Sequence, residues 1–293
     1  MGPTAIGKTS LSIELAKQLG CEIISADSRQ FYKEMNIGTA KVTPEEMDGV
    51  PHHFVDFLSV EEFYTAGQFE KNVLGKLEDL FKENDIAIMV GGSGLYVNAV
   101  LRGIDEIPSD LKLRKELNQE LEENGLRRMQ QKLKKLDYDH YRFVDKQNPQ
   151  RVIRAIEVCL VTGKKYSELR KAAPKERDFN SIQIGLTTDR ELIYDRINSR
   201  VDEMVKNGLI EEVKSLHSKK ELNSLNTVGY KELFKYFDGE WELDFAIEKI
   251  KQNTRNFAKR QLTWFKKDEN TQWFDVTSEK DKIQKLIEKS LKK

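Results

Sequence analysis

The chain has 293 residues, 33% of them charged, with 49 basic against 49 acidic side chains, so bulk charge names no partner and any nucleic-acid surface must come from segregated charge. The length suits one large domain or two small ones, and no apolar run approaches the ~20 residues that span a bilayer, so no membrane association is expected. Cys21 and Cys159 stand far apart with no C-x-x-C pair, which excludes a zinc module and a disulfide framework and points to a reducing, cytoplasmic setting.

The chain opens on Gly2-Pro3-Thr4-Ala5-Ile6-Gly7-Lys8-Thr9, the G-x-x-x-x-G-K-[ST] pattern of a phosphate-binding loop. Its glycines let backbone N–H groups turn toward a polyanion, Lys8 adds a point charge, and the Thr9 hydroxyl suits Mg²⁺. Leu11, Leu15 and Leu19 then recur every four residues with Ala16 beside them, one apolar helical face that stops at Gly20. Such a loop normally leaves a buried parallel strand, and only Met1 stands before this one. The expectation is that the first strand is encoded upstream of the sequence in hand; its outright loss is the alternative.

Glu22 to Ala26 reads as a short buried strand with Asp27-Ser28-Arg29-Gln30 past its carboxyl end. Ile86 to Val90 reads as a second, followed by Gly91-Gly92-Ser93-Gly94 and an apolar helix over Leu95 to Leu101. Ser181 to Leu186 reads as a third, with a helix from about Asp189. Alternating strands and helices predict an α/β fold, a parallel sheet flanked by helices, of the phosphate-binding-loop NTPase type. Ligands in such sheets sit at the carboxyl ends of strands, where the loop, Asp27 and Ser93 all fall. Asp27 suits a Mg²⁺ contact, a general base, or a helix N-cap.

Residues 109–147 break the alternation with a charged helical pattern (Leu113, Leu117, Leu121, Met129, Leu133) and are expected to form a helical insertion. The core would then comprise 1–108 and 148–293, its C-terminal part helical. Ordinary core-flanking helices are the alternative. Arg196 and Arg200 lie four apart, on one helix face. Residues 249–267 hold Lys249, Lys251, Arg255, Lys259, Arg260, Lys266 and Lys267 and no acid. Neutralised phosphates and aromatic stacking would suit such a run, and its basic cluster is expected to bind an anion. Phe257 and Trp264 taken singly are expected to pack in the core.

Hydrolysis through the loop needs an acidic residue after an apolar strand, yet Ile86–Val90 runs into Gly91-Gly92. A nucleoside or nucleotide kinase holding ATP in the loop stays as the rival reading.

The chain resembles the tRNA dimethylallyltransferases, also called tRNA isopentenyltransferases. The resemblance rests on the loop; Ser25-Ala26-Asp27-Ser28-Arg29-Gln30-Phe31-Tyr32; Asn36-Ile37-Gly38-Thr39-Ala40-Lys41; and Pro51-His52-His53. It continues through Val90-Gly91-Gly92-Ser93-Gly94-Leu95-Tyr96, Asn148-Pro149-Gln150-Arg151-Val152-Ile153-Arg154, Val228-Gly229-Tyr230 and Ala258-Lys259-Arg260-Gln261-Leu262-Thr263-Trp264-Phe265. The resemblance implies transfer of a dimethylallyl group from dimethylallyl diphosphate to N6 of the adenosine at position 37 of tRNA, with Mg²⁺ as cofactor. It implies that Asp27 is the general base, that residues Gly2 to Thr9 and Arg200 hold the diphosphate, and that Thr9 meets the Mg²⁺. It assigns Asp27, Ser28, Arg29, Gln30, Ser93, Arg114, Gln150, Arg151, Val152, Ile153, Arg154, Lys259 and Arg260 to the tRNA. Ser93 stands where the family usually has Thr. A monomer is expected. His52-His53 is not expected to hold a metal, because neighbours on a strand point to opposite faces.

Overall fold

The computed structural model describes residues 1–170 and 173–291. Its helices, in chain order, are α1 (Lys8–Leu19), α2 (Pro44–Met47), α3 (Ala66–Glu83), α4 (Gly94–Arg102), α5 (Leu111–Leu136), α6 (Tyr138–Phe143) and α7 (Pro149–Thr162). They continue with α8 (Tyr166–Leu169), α9 (Arg190–Lys206), α10 (Leu209–Ser215), α11 (Tyr230–Phe237), α12 (Leu243–Phe265) and α13 (Lys280–Leu291). The strands are β1 (Ile23–Ser25), β2 (His52–His53), β3 (Ile88–Val90), β4 (Ile184–Thr187) and β5 (Gln272–Asp275). The residues divide into two compact units, Met1–Leu101 with Arg177–Lys293, and Arg102–Glu176.

In the larger unit β1 sits between β2 and β3, parallel to both, with Ile23 opposite His52 and Ile88. All three β1 residues are buried, Ile23 and Ile24 supplying the apolar run by which the strand is read. Strands β4 and β5 form a second parallel pair. Where one sheet was expected, the described residues thus carry two small ones. An apolar cleft of about 290 Å³ is lined by Ile24, Val73, Leu77, Met89, Ile184 and Leu186 among others. The Met1 backbone bonds to β4, its amino group donating to the Ile184 carbonyl at 2.7 Å and its carbonyl accepting from Leu186 N–H at 2.9 Å.

Helix α3 begins with a capping box, Thr65 and Gln68 exchanging side-chain and backbone bonds. It buries Phe69, Val73, Leu77 and Leu80 at helical spacing. Phe69 joins Phe31, Phe54, Phe57, Tyr64 and Tyr96 in an aromatic cluster beneath the loop after β1. That packing gives the Asp27–Gln30 segment a rigid floor.

The smaller unit is helical and wider than the 109–147 insertion expected. The reason is α7, whose Val152, Ile153, Ala155 and Ile156 pack on Leu117, Met129 and Leu133 of α5. Gly125, at φ 73°, breaks α5 into two segments. Glu157 is wholly buried and takes a forked bond from Arg114, with N–O distances of 2.8–3.0 Å, as well as an Arg154 contact at 3.2 Å. A charge is tolerated in that core because it is neutralised and hydrogen-bonded where it stands.

Candidate active site

A cleft of about 570 Å³ opens in the larger unit, lined by Thr4, Lys8, Asp27, Ser93, Arg200 and Arg260 among others. Three segments reach it from the carboxyl ends of strands or the start of a helix, and a fourth element closes the side.

The first is the loop before α1. It turns through left-handed conformations at Ala5 (φ 62°) and Gly7 (φ 98°), and the helix starts at Lys8. Its positive end therefore faces the turn. Lys8 Nζ donates to the Pro3 carbonyl at 2.6 Å. Burial pushes the Lys8 ammonium down to about 8, Asp27 partly opposes this, and Arg200 adds to the depression. Burial likewise lowers the Arg200 guanidinium below its ordinary value, and the Glu203 and Glu46 carboxylates partly oppose this. Among the described residues Arg200 forms no ion pair, so two cations sit desolvated in one cleft.

The second segment is Asp27–Gln30. Asp27 is followed by turns rather than a helix, and its Oδ1 accepts from Arg29 N–H at 3.1 Å. The N-cap alternative is thereby removed, and the carboxylate lines the cleft. Arg29 donates to the carbonyls of Asn223, Ser224 and Asn226. Gln30 donates to the carbonyls of Thr39 and Ala40. Arg29 and Gln30 thus fasten neighbouring backbone; of the two, Arg29 also lines the cleft.

The third segment is the turn after β3. Gly91 lies so close to Ala26 that a Cβ there would sit 2.2 Å from the Ala26 carbonyl oxygen. This approach lets Ser93 Oγ accept from Ser28 N–H at 3.0 Å and meet Ser28 Oγ at 3.1 Å. The Ser93 hydroxyl, a group that threonine would also supply, makes both bonds.

Helix α12 forms the wall. Its basic run divides by position. Lys251 pairs with Asp202 and Glu248, and Arg255 donates to Asn198. Lys259, Arg260, Lys266 and Lys267 are exposed, and of these Arg260 lines the cleft. Phe257 and Trp264, expected in the core, are 40% and 39% exposed and also line the cleft. Helical spacing put them on the open edge of α12, while Ala258, Gln261 and Phe265 turned inward.

The loop carrying Gly38, Thr39 and Ala40 is held by Glu212, whose carboxylate accepts from the N–H groups of Asn36, Ile37 and Gly38 at 2.8–2.9 Å. The wholly buried Tyr230 donates its hydroxyl to the same carboxylate at 2.6 Å, and its ring covers Gly38. Glu212 escaped the sequence reading because its partners are backbone groups about 175 residues away.

The remaining residues assigned to RNA lie in the smaller unit. Val152 and Ile153 are at most 1% exposed, so their side chains serve its core. Arg154 donates to the carbonyls of Ile107 and Pro108, and Arg114 is committed to Glu157. Gln150 and Arg151 are exposed in the first turn of α7. His52 and His53 do form a strand, with His53 Nε2 2.5 Å from Glu22.

The family described as IPP transferase matches residues 30–268. A tRNA dimethylallyltransferase of Christiangramia forsetii is 52% identical over 292 residues, 99% of this chain and 97% of the relative. The crystal structure of the full-length tRNA isopentenylpyrophosphate transferase of Bacillus halodurans superposes with a TM-score of 0.73 at 39% identity, covering 99% of this chain and 95% of that one. A eukaryotic dimethylallyltransferase acting on tRNA gives 0.76 at 29% identity, covering 94% and 72%.

Proposed function

Because the chain belongs to the IPP transferase family, that of the tRNA dimethylallyltransferases, we propose that it moves the dimethylallyl group of dimethylallyl diphosphate onto N6 of the adenosine beside the tRNA anticodon. The observation that carries this reading is the pairing, in one cleft, of two desolvated cations with a carboxylate.

In this mechanism the loop, Lys8 and Arg200 hold the diphosphate. As the allylic C–O bond breaks, the electron pair leaves with the diphosphate, and the fixed cations and N–H groups stabilise the growing charge. N6 attacks the allylic carbon and forms the new C–N bond. Asp27 takes the proton that N6 sheds, as a general base must. The adenine has to leave its stack to reach the cleft, and stacking against Phe257 and Trp264 at the open edge offsets part of the unstacking cost of a few kcal/mol.

Thr9, next to the cleft-lining Lys8, is the proposed contact for Mg²⁺. Its side chain is exposed in the first turn of α1 and its hydroxyl has no partner among the described residues. No cluster of three or more His, Cys, Asp or Glu able to hold a metal exists among those residues, so the ion would rest on Thr9, substrate oxygens and water. Bound there, it supplies further charge neutralisation of the leaving group.

Exposed Lys259, Arg260, Gln150 and Arg151 are the proposed tRNA contacts, together with the Asp27–Gln30 and Ser93 segments. Arg114 and Arg154 act through the fold of the smaller unit. No described helix is long and apolar enough to cross a membrane. We place the enzyme in the cytoplasm as a monomer, in keeping with two buried free thiols. The kinase reading loses ground because β3 runs into Gly91 and Gly92 rather than an acid.

The test is incubation with isotopically labelled dimethylallyl diphosphate and bulk tRNA, followed by nucleoside analysis. Label in N6-dimethylallyl adenosine is expected. Transfer of a labelled ATP γ-phosphoryl to a small molecule, with no prenylated nucleoside, would replace this reading with the kinase.

A further inference from the structure

Gln261 is the polar side chain that helix α12 turns inward at the cleft, and it is 7% exposed. Its Oε1 accepts from Thr4 N–H at 2.9 Å. Its Nε2 donates to the Gly92 carbonyl at 2.9 Å, in a buried bond. One amide therefore bridges the diphosphate loop and the turn after β3. The fit is close, since a Cβ on Gly92 would lie 2.3 Å from Nε2. Three residues on, Trp264 covers Gly94 in the same way, its indole 2.2 Å from where a Cβ would be.

The bridge continues. Ser93 follows Gly92, donates its N–H to the Ala26 carbonyl at 3.2 Å, and bonds Ser28 through Oγ. Ala26 and Ser28 flank Asp27. A chain of bonds thus runs from Thr4 through Gln261, Gly92 and Ser93 to the backbone on either side of the carboxylate. One end carries the leaving group and the other carries the base. Only a side chain that accepts at one atom and donates at the other satisfies both ends. A carboxylate would set an oxygen against the Gly92 carbonyl, and asparagine is a methylene too short.

Resting on the prenyl-transfer reading, we infer that Gln261 is a positioning residue that fixes the distance between the diphosphate cradle and Asp27. Its amide touches neither substrate in this role. It acts by geometry, and displacing reacting groups by about 1 Å costs on the order of 10²-fold in rate.

Gln261→Met keeps the volume and removes both bonds. The expected result in single-turnover transfer is a fall of roughly 10²-fold in the chemical rate, at saturating donor and tRNA, with dissociation constants for each substrate within about threefold of wild type. Gln261→Glu repeats the test inside one folded protein. Protonated, its carboxyl again accepts from Thr4 and donates to Gly92; ionised, it cannot. Its rate relative to wild type at the same pH should therefore climb as pH is lowered, whereas that of Gln261→Met should stay flat. A Gln261→Met rate within twofold of wild type would overturn the assignment. So would a loss carried wholly by donor affinity, or a Gln261→Glu ratio independent of pH. Failure of the wild-type protein to prenylate tRNA would instead overturn the functional reading beneath it.

Discussion

Both units draw arginine partly out of water, and they do so differently. In the smaller unit Arg114 forks onto Glu157, and Arg154 reaches the same carboxylate from α7. Those cations are spent on holding α5 against α7. In the larger unit Lys8 and Arg200 are desolvated together; Asp27 acts on Lys8, and Glu203 and Glu46 act on Arg200 without forming an ion pair with it among the described residues. A protein does not keep two cations out of water without some return. A buried cation matched by a buried carboxylate is structural, and one left for an incoming anion is a binding site.

The largest effect expected from this contrast is at the carboxylate. Asp27→Asn keeps the shape and removes the proton acceptor. Transfer should fall by about 10²- to 10⁴-fold in single-turnover assays, while tRNA affinity measured by filter binding stays near wild type. A matching loss of both would make Asp27 an RNA contact only.

Next comes Arg114→Ala, which strips the fork from a carboxylate with no exposure. Leaving that charge partly uncompensated should cost about 3 kcal/mol of stability, read as a lower midpoint in denaturant unfolding. Donor affinity should be unchanged under conditions where the variant is folded.

Lys8 gives a smaller, graded effect. With its ammonium lowered to about 8, the empty site carries that charge below pH 8 and loses it above. A diphosphate binds the charged form, so binding above pH 8 must take up a proton. Donor affinity should decline by up to about tenfold per pH unit there and level off below it. A flat profile between pH 7 and 9 would place Lys8 outside the anion site.

The smallest effect is at the rim. Neutralising Lys259 and Arg260 together should make the slope of log affinity for tRNA against log salt shallower by roughly one to two, since each phosphate contact contributes about 0.7 to 0.9. An unchanged slope would remove that edge of α12 from the RNA surface.

The parts of this site that were legible in the sequence are those whose chemistry needs a fixed residue type at a fixed spacing. The loop from Gly2 to Thr9 and Asp27 past a buried strand could be picked out that way, Arg200 was singled out by the family resemblance, and residues of all three line the same cleft. Strands β1 and β3 were legible because each sits in an apolar run of sequence, fully buried at β1 and half-buried at β3. Strand β2, two residues long, has no period to read. The smaller unit spread past 147 because the apolar face of α7 satisfies α5, a pairing that periodicity alone does not reveal. Motif membership did not separate Gln150 and Arg151, which face water, from Val152 and Ile153, which face the core. The same limit applied to Phe257 and Trp264, since helical spacing permits either edge. Glu212 and Gln261 stayed hidden for another reason: most of their partners are backbone groups, which carry no mark in the sequence.

The contrast between spent and unspent cations is tested most directly by calorimetric titration of dimethylallyl diphosphate into Arg200→Ala and Arg114→Ala side by side. The prediction is a donor affinity reduced by about 10²-fold or more in Arg200→Ala and unaltered in folded Arg114→Ala. Full donor affinity in Arg200→Ala, or an equal loss in both, would contradict it.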